Sequence, residues 1–153
     1  MSSDACNEAD IRALMLHGQR MVFWQAVESW DEHSIRCRTV THRDAGHPLR
    51  RDEKLSAVHL GEYGAQLMAI HGALLANKLT GGRLLPGVLT SLRDFEMTRT
   101  RIDLVSAPLL GSAGILVSGA TGSIYEFEIS AAGLRLASGR ISVITLTTEA
   151  SPV

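Results

Sequence analysis

Glu62 and Gln66 stand four residues apart in the stretch AVHLGEYGAQLMAIHGALLA, Ala57 to Ala76. If that stretch is helical, the two side chains stack on one face. The rest of it is small and apolar, the composition of a helix buried on most of its faces. A carboxylate in such a place is costly unless paired or hydrogen-bonded, so Glu62 is the first candidate for acid–base chemistry. The alternative is a carboxylate satisfied structurally, for instance at a subunit interface. His59 falls on the same stripe, where it either pairs with Glu62 or lines the mouth of a site. Gln66 can orient a neighbour by hydrogen bonding but cannot titrate. His42 and His47, in the polar segment before the helix, are candidates for a base with a pKa near operating pH. A loop histidine is otherwise a polar surface residue. His71 reads as a satisfied core or interface histidine, and His17 and His33 as turn residues facing solvent.

Other chemistries lack their residues. The His59–Glu62 spacing has no further ligands at the usual metal-site separations. Gly81-Gly82 follows a helix rather than opening one, which excludes a phosphate loop there. No serine nucleophile elbow is present.

The elements that must position these groups follow from pattern. Asp10 is expected to cap a short helix from Ile11 to Leu16. Met21 to Val27 reads as a strand, Trp30 to His33 as a turn, and Ile35 to Thr41 as an alternating strand. His42 to Leu55 is a charged loop with Gly46 and Pro48, delivering the chain to the long helix. Thr80-Gly81-Gly82 stops that helix, and Pro86-Gly87 marks a turn. Strands are then expected over Gly87–Leu92, Phe95–Ile102, Ser112–Ala120, Ile124–Ser130 and Leu134–Leu146, with a hairpin turn at Ala131-Ala132-Gly133. Tyr125, Phe127 and Ile129 alternate with Glu126 and Glu128, as in a sheet with one buried and one wet face. A helix this rich in Gly and Ala, followed by antiparallel strands, predicts a helix wrapped by its own sheet. Gly61, Gly64, Ala65, Ala69, Gly72 and Ala73 would let the strands approach closely.

At 153 residues the chain suits one domain, 1–153, with a core that needs no disulfide or metal. A net charge of −1 leaves no electrostatic footprint for nucleic acid. The local cluster Arg43, Arg50, Arg51, Lys54 is either a solvated loop or a docking patch for an acidic partner. Cys6 and Cys37 make no disulfide framework and fit reduced thiols in a cytoplasm. MSSDACNEAD shows no signal peptide, and the glutamate, histidines and glycines of the long helix argue against a membrane span.

Three segments carry a family resemblance. Leu14-Met15-Leu16-His17 through Val27 is similar to an entry motif of a leucine pair, Pro-His and an apolar strand. Leu55 to Gln66 resembles a helix entrance where a glutamate precedes a glutamine by four. Ile115 to Val143 resembles a closing hairpin with a short aromatic motif. Together these resemble the 3-hydroxyacyl-carrier-protein dehydratases, and more closely the divergent dehydratases of aryl-polyene and polyketide-like clusters. The resemblance implies an α+β hotdog fold, a long central helix wrapped by an antiparallel sheet. It implies dehydration of a 3-hydroxyacyl group on acyl carrier protein to a trans-2-enoyl thioester, with no cofactor. It further implies a homodimer joined edge to edge, with a composite site taking its histidine from one subunit and Glu62 from the other. His42 and Glu62 would be catalytic, and Ala57, Val58, His59 and Gln66 would bind substrate, the amides near Ala57 and Val58 serving the thioester oxygen. The chain departs from the family's H-F-P-G-x-P: it reads His42-Arg43-Asp44-Ala45-Gly46-His47-Pro48, with Ser56-Ala57 where Pro-Gly is usual. If Pro48 matches the final proline, His42 lies one residue too far upstream, and His47 is the competing choice. The rivals are a thioester hydrolase on the same fold, with Glu62 activating water, and a non-catalytic subunit binding acyl chains or a catalytic partner.

Overall fold

The computed structural model describes residues 5–15, 21–80 and 87–145. The expected punctuation at His17 and Gly81-Gly82, and Pro86 of the expected turn, lie outside the described residues. The first helix, α1, spans Glu8–Leu14 and starts earlier than expected. Asn7, not Asp10, is its cap. The Asn7 side chain accepts from the Asp10 amide at 3.0 Å and the Asp10 carboxylate accepts from the Asn7 amide at 3.1 Å, a reciprocal box that moves the start upstream.

Strands β1 (Ala26–Trp30) and β2 (Ser34–Thr39) form a hairpin around Asp31, whose carboxylate accepts from the His33 and Ser34 amides. The apolar run Val22-Phe23-Trp24 is buried but is not a strand. Its hydrophobicity reports burial, and much of its backbone bonding goes to side chains: the Phe23 N–H donates to Gln66, and the Phe23 carbonyl accepts from Thr39 and Thr41.

A 3-10 turn, Ala57–His59, leads into the long helix α2, Leu60–Thr80. Beyond it come β3 (Gly87–Met97), β4 (Leu109–Gly119), β5 (Gly122–Ala131) and β6 (Leu134–Thr145). Where two strands are expected between Gly87 and Ile102, one strand runs to Met97 with a register irregularity between Arg93 and Glu96, and Asp94 takes φ 53°. The bulge absorbs the break in alternation without ending the pairing. The turn after β5 is as expected, with Ala132 and Gly133 at φ 51° and 78°.

The six strands form one antiparallel sheet in the order β1-β2-β4-β5-β6-β3. Its concave face closes on α2. Glycine makes this possible: a Cβ at Gly64 would fall 2.7 Å from the Phe127 ring, and one at Gly111 2.4 Å from Trp24. Ala65, Ala69 and Gly72 are only half-buried and lie on a different stripe of the helix. β3 is an edge strand, and none of its residues with a described side chain is buried.

Candidate active site

The 3-10 turn Thr41–Arg43 carries His42 directly after β2. Its imidazole has 0 % of its surface exposed. Nε2 lies 2.9 Å from the Val105 carbonyl oxygen, which can only accept, so Nε2 holds the proton and donates. Nδ1 is buried and has no hydrogen-bond partner among the described residues. Burial pulls the pKa below its ordinary 6.5, opposed in part by the Val105 carbonyl and, more weakly, by that of Ala107. The ring is therefore neutral at pH 7, with an unused lone pair on Nδ1. An unpaired buried acceptor is costly, and this one is what a general base requires.

His47 is buried too, but both its nitrogens are engaged. Nδ1 accepts from the Leu49 amide at 3.1 Å, which leaves the proton on Nε2, 3.1 Å from the Tyr63 hydroxyl. Burial and then the neighbouring Arg50 push its pKa down to about 4. With no free lone pair, His47 is placed as a structural donor.

On α2 the expected burial is reversed between Glu62 and Gln66. Glu62 is half-buried in the single chain, whereas Gln66 is 1 % exposed. The sheet-facing stripe of α2 holds Tyr63, Gln66, Leu67 and Ile70, and Glu62 falls on the neighbouring stripe with Ala65 and Ala69. The Gln66 carboxamide is fully engaged: Oε1 accepts from the Phe23 amide at 2.8 Å, and Nε2 donates to the Met21 carbonyl and, at 3.3 Å, to Glu62 Oε1. It orients Glu62 and keeps no donor for a ligand. His59 is half-buried at the helix entrance; burial and Arg51 lower its pKa, and the Glu62 charge opposes them.

The two expected amide donors also have partners. The Ala57 N–H donates to the Thr100 carbonyl at 2.9 Å, tying the buried helix entrance to the segment after β3. The Val58 N–H donates to Ser56 Oγ at 3.2 Å in an exposed cap, a bond that a ligand oxygen would have to displace. Leu55 is fixed alongside, its amide donating to Asp103 Oδ1 at 2.9 Å while Arg101 pairs with that carboxylate. That pairing holds Asp103 well below the usual carboxylate range.

The basic segment is knitted into its own loop. Arg50 donates to the carbonyls of Asp44 (2.6 Å), Glu53 (3.0 Å) and His42 (3.4 Å), and Arg51 to those of Arg50 and Pro48. Arg43 donates to the Ser106 carbonyl. Lys54 is exposed. Among the described residues, no three potential metal ligands converge.

Sequence reasoning missed Val105 and Tyr63. The first acts through a carbonyl 63 positions from His42, which no side-chain pattern announces. Tyr63 stands beside Glu62, and a buried phenol needing a partner was the available signal. His71 is a satisfied core histidine: Nε2 lies 2.7 Å from the Asp31 carbonyl and Nδ1 faces the Tyr125 hydroxyl.

A family model described as ApeP-like, ApeP dehydratase, matches residues 9–151. No curated protein sequence matches the chain. Among solved structures, the dehydratase heterocomplex ApeI:P from Xenorhabdus doucetiae matches with a TM-score of 0.80 at 18 % identity, over 90 % of this chain and 91 % of that one. A protein provisionally assigned as a thioesterase, from Silicibacter sp. TM1040, matches with a TM-score of 0.66 at 16 % identity, over 92 % of each chain. A hypothetical thioesterase from Streptococcus pneumoniae, solved with coenzyme A, gives 0.58 at 12 % identity, over 81 % of this chain and 87 % of that one. The long helix wrapped by a six-stranded antiparallel sheet is the hotdog fold these structures share.

Proposed function

The chain belongs to the ApeP-like dehydratase family, and from that premise we propose that it removes water from a 3-hydroxyacyl thioester carried on acyl carrier protein, giving the trans-2-enoyl thioester. The observation that carries the reading is the free Nδ1 of His42 in a fully buried, neutral ring. The thioester acidifies the C2–H bond, and His42 Nδ1 takes that proton as the electron pair moves toward the carbonyl oxygen. Glu62 delivers a proton to the C3 hydroxyl, which leaves as water while the C2–C3 double bond forms. The proton on His42 then returns to the carboxylate through solvent, closing the cycle without a cofactor. The Val58 amide, at the positive end of the helix entrance, is the donor for charge developing on the thioester oxygen.

In this reading the site is composite, His42 from one subunit facing Glu62 from a second. The half-exposed Glu62 and the unpaired edge of β3 support it. Since the Xenorhabdus structure is a heterocomplex, the second subunit is either a copy of this chain or a related dehydratase. The exposed Arg43, Arg51 and Lys54 add positive charge to the loop that would meet an acidic carrier protein.

The test is intact-protein mass spectrometry of a carrier-bound 3-hydroxyacyl substrate with wild type, His42→Ala and Glu62→Gln. Wild type is expected to remove about eighteen mass units, and each variant to lose at least about a hundredfold in rate, the scale of a general acid or base. A freed carrier thiol would indicate hydrolysis instead, a chemistry the half-exposed Glu62 could direct by activating water. An unchanged thioester, with and without a related subunit added, would leave a binding role.

A further inference from the structure

His42 and Glu62 sit on different elements, and one directed set of hydrogen bonds ties those elements together. At one end the Leu49 amide can only donate, so His47 Nδ1 accepts and Nε2 carries the proton. At the other end the Phe23 carbonyl can only accept, and Thr39 Oγ1 and Thr41 Oγ1 both reach it, the latter at 2.6 Å. Between them, the Tyr63 hydroxyl lies 3.1 Å from His47 Nε2 and 3.1 Å from Thr41 Oγ1. The Leu49 end imposes the direction: Leu49 to His47, His47 to Tyr63, Tyr63 to Thr41, and Thr41 onward to the Phe23 carbonyl or to Thr39 Oγ1 at 2.9 Å. The Tyr63 hydroxyl keeps its direction whichever acceptor Thr41 uses, because His47 Nε2 can only donate to it. The Phe23 ring lies 4.5 Å from that of His47 and 4.9 Å from that of Tyr63, which packs the same chain laterally.

The geometry points to Tyr63 as a positioning residue for His42, its hydroxyl clamping the turn that bears the base to the helix that bears Glu62. Thr41 immediately precedes His42, and Tyr63 immediately follows Glu62. The Phe23 peptide completes the clamp, its carbonyl held by Thr41 and its amide by Gln66, which in turn holds Glu62. Removing the Tyr63 hydroxyl strands the His47 donor and removes the bond from Thr41 to the helix, so the turn carrying His42 gains freedom relative to α2 while the substrate-facing groups stay unchanged. This rests on His42 being the base.

The experiment compares Tyr63→Phe, Thr41→Val and Thr41→Ser with wild type, in kcat and KM and in the 15N resonances of the histidine rings. Tyr63→Phe and Thr41→Val are expected to lower kcat about tenfold to a hundredfold with KM held within twofold, the scale of a misplaced catalytic group. Thr41→Ser, which keeps the hydroxyl, is expected to retain most of the rate. In wild type the His47 proton should reside on Nε2, and in Tyr63→Phe the His42 signals should shift or broaden while those of His71 stay in place. A kcat for Tyr63→Phe equal to wild type, equal losses in Thr41→Ser and Thr41→Val, or an Nδ1-protonated His47 would overturn the proposal. If wild type dehydrates nothing, the functional reading falls, and the clamp is judged by the ring resonances alone: unmoved His42 signals in Tyr63→Phe overturn it.

Discussion

His42 and His47 are both buried histidines five positions apart, and a single backbone amide separates their hydrogen-bonding states. Leu49 donates to Nδ1 of His47, and among the described residues nothing donates to Nδ1 of His42. In the proposed dehydration His42 can serve as base only when neutral, and burial lowers its pKa from 6.5. The acid limb of kcat/KM is therefore expected below the ordinary histidine value, so that more than half of the maximal activity remains at pH 6.5. A pH–rate profile checks this, and a limb at or above 6.5 would assign the base to a more exposed group.

At the scale of elements, close approach between α2 and the sheet depends on missing side chains. Gly111 on β4 faces Trp24, a fully buried ring held by the bond from its Nε1 to the Tyr63 carbonyl at 2.8 Å. A Cβ at 2.4 Å from that ring has no flexible tip to displace. Gly111→Ala is expected to destabilise the fold by about 1–3 kcal/mol, the usual cost of overpacking, in urea-induced unfolding. Because Trp24 holds the carbonyl of Tyr63, the same variant should also disturb the clamp on His42. Gly114, whose Cβ would meet nothing nearer than 3.8 Å, is the neutral control on the same strand.

For the molecule as a whole, three buried histidines are held neutral, His42, His47 and His71, each with its pKa lowered chiefly by burial. The unfolded chain protonates them near 6.5, whereas the folded chain takes up those protons only at lower pH, near 4 for His47. Between those values the unfolded state binds more protons, so stability is full above pH 6.5 and falls as the pH drops toward 4. Denaturant midpoints at pH 7.5, 6 and 4.5 should decline in that order, and replacing His47 with Gln should flatten the decline. The other whole-molecule feature is the outer edge of β3, unpaired among the described residues, where Leu92 and Met97 are 40 % and 45 % exposed. An eleven-residue edge strand with exposed apolar side chains invites pairing with a second chain. Leu92→Glu is expected to lower the mass in multi-angle light scattering to that of a monomer and to abolish turnover; an unchanged mass would place the interface elsewhere.

Periodicity and composition by themselves determined the long helix, the alternating faces of β2 and β5, the hairpin at Ala131-Ala132-Gly133, and the pairing of Glu62 with Gln66. Each depends on neighbours in sequence, where a period of 3.6 or 2 decides which side chains share a face. Tertiary structure decided what those side chains can do. Val22–Trp24 was buried without becoming a strand, because its carbonyl and amide partners are Thr39, Thr41 and Gln66. Gln66 rather than Glu62 took the most buried position, because the sheet covers only one stripe of α2. His42 was separated from His47 by the Val105 carbonyl and the Leu49 amide, backbone groups that every residue but proline carries alike and that only the fold can aim.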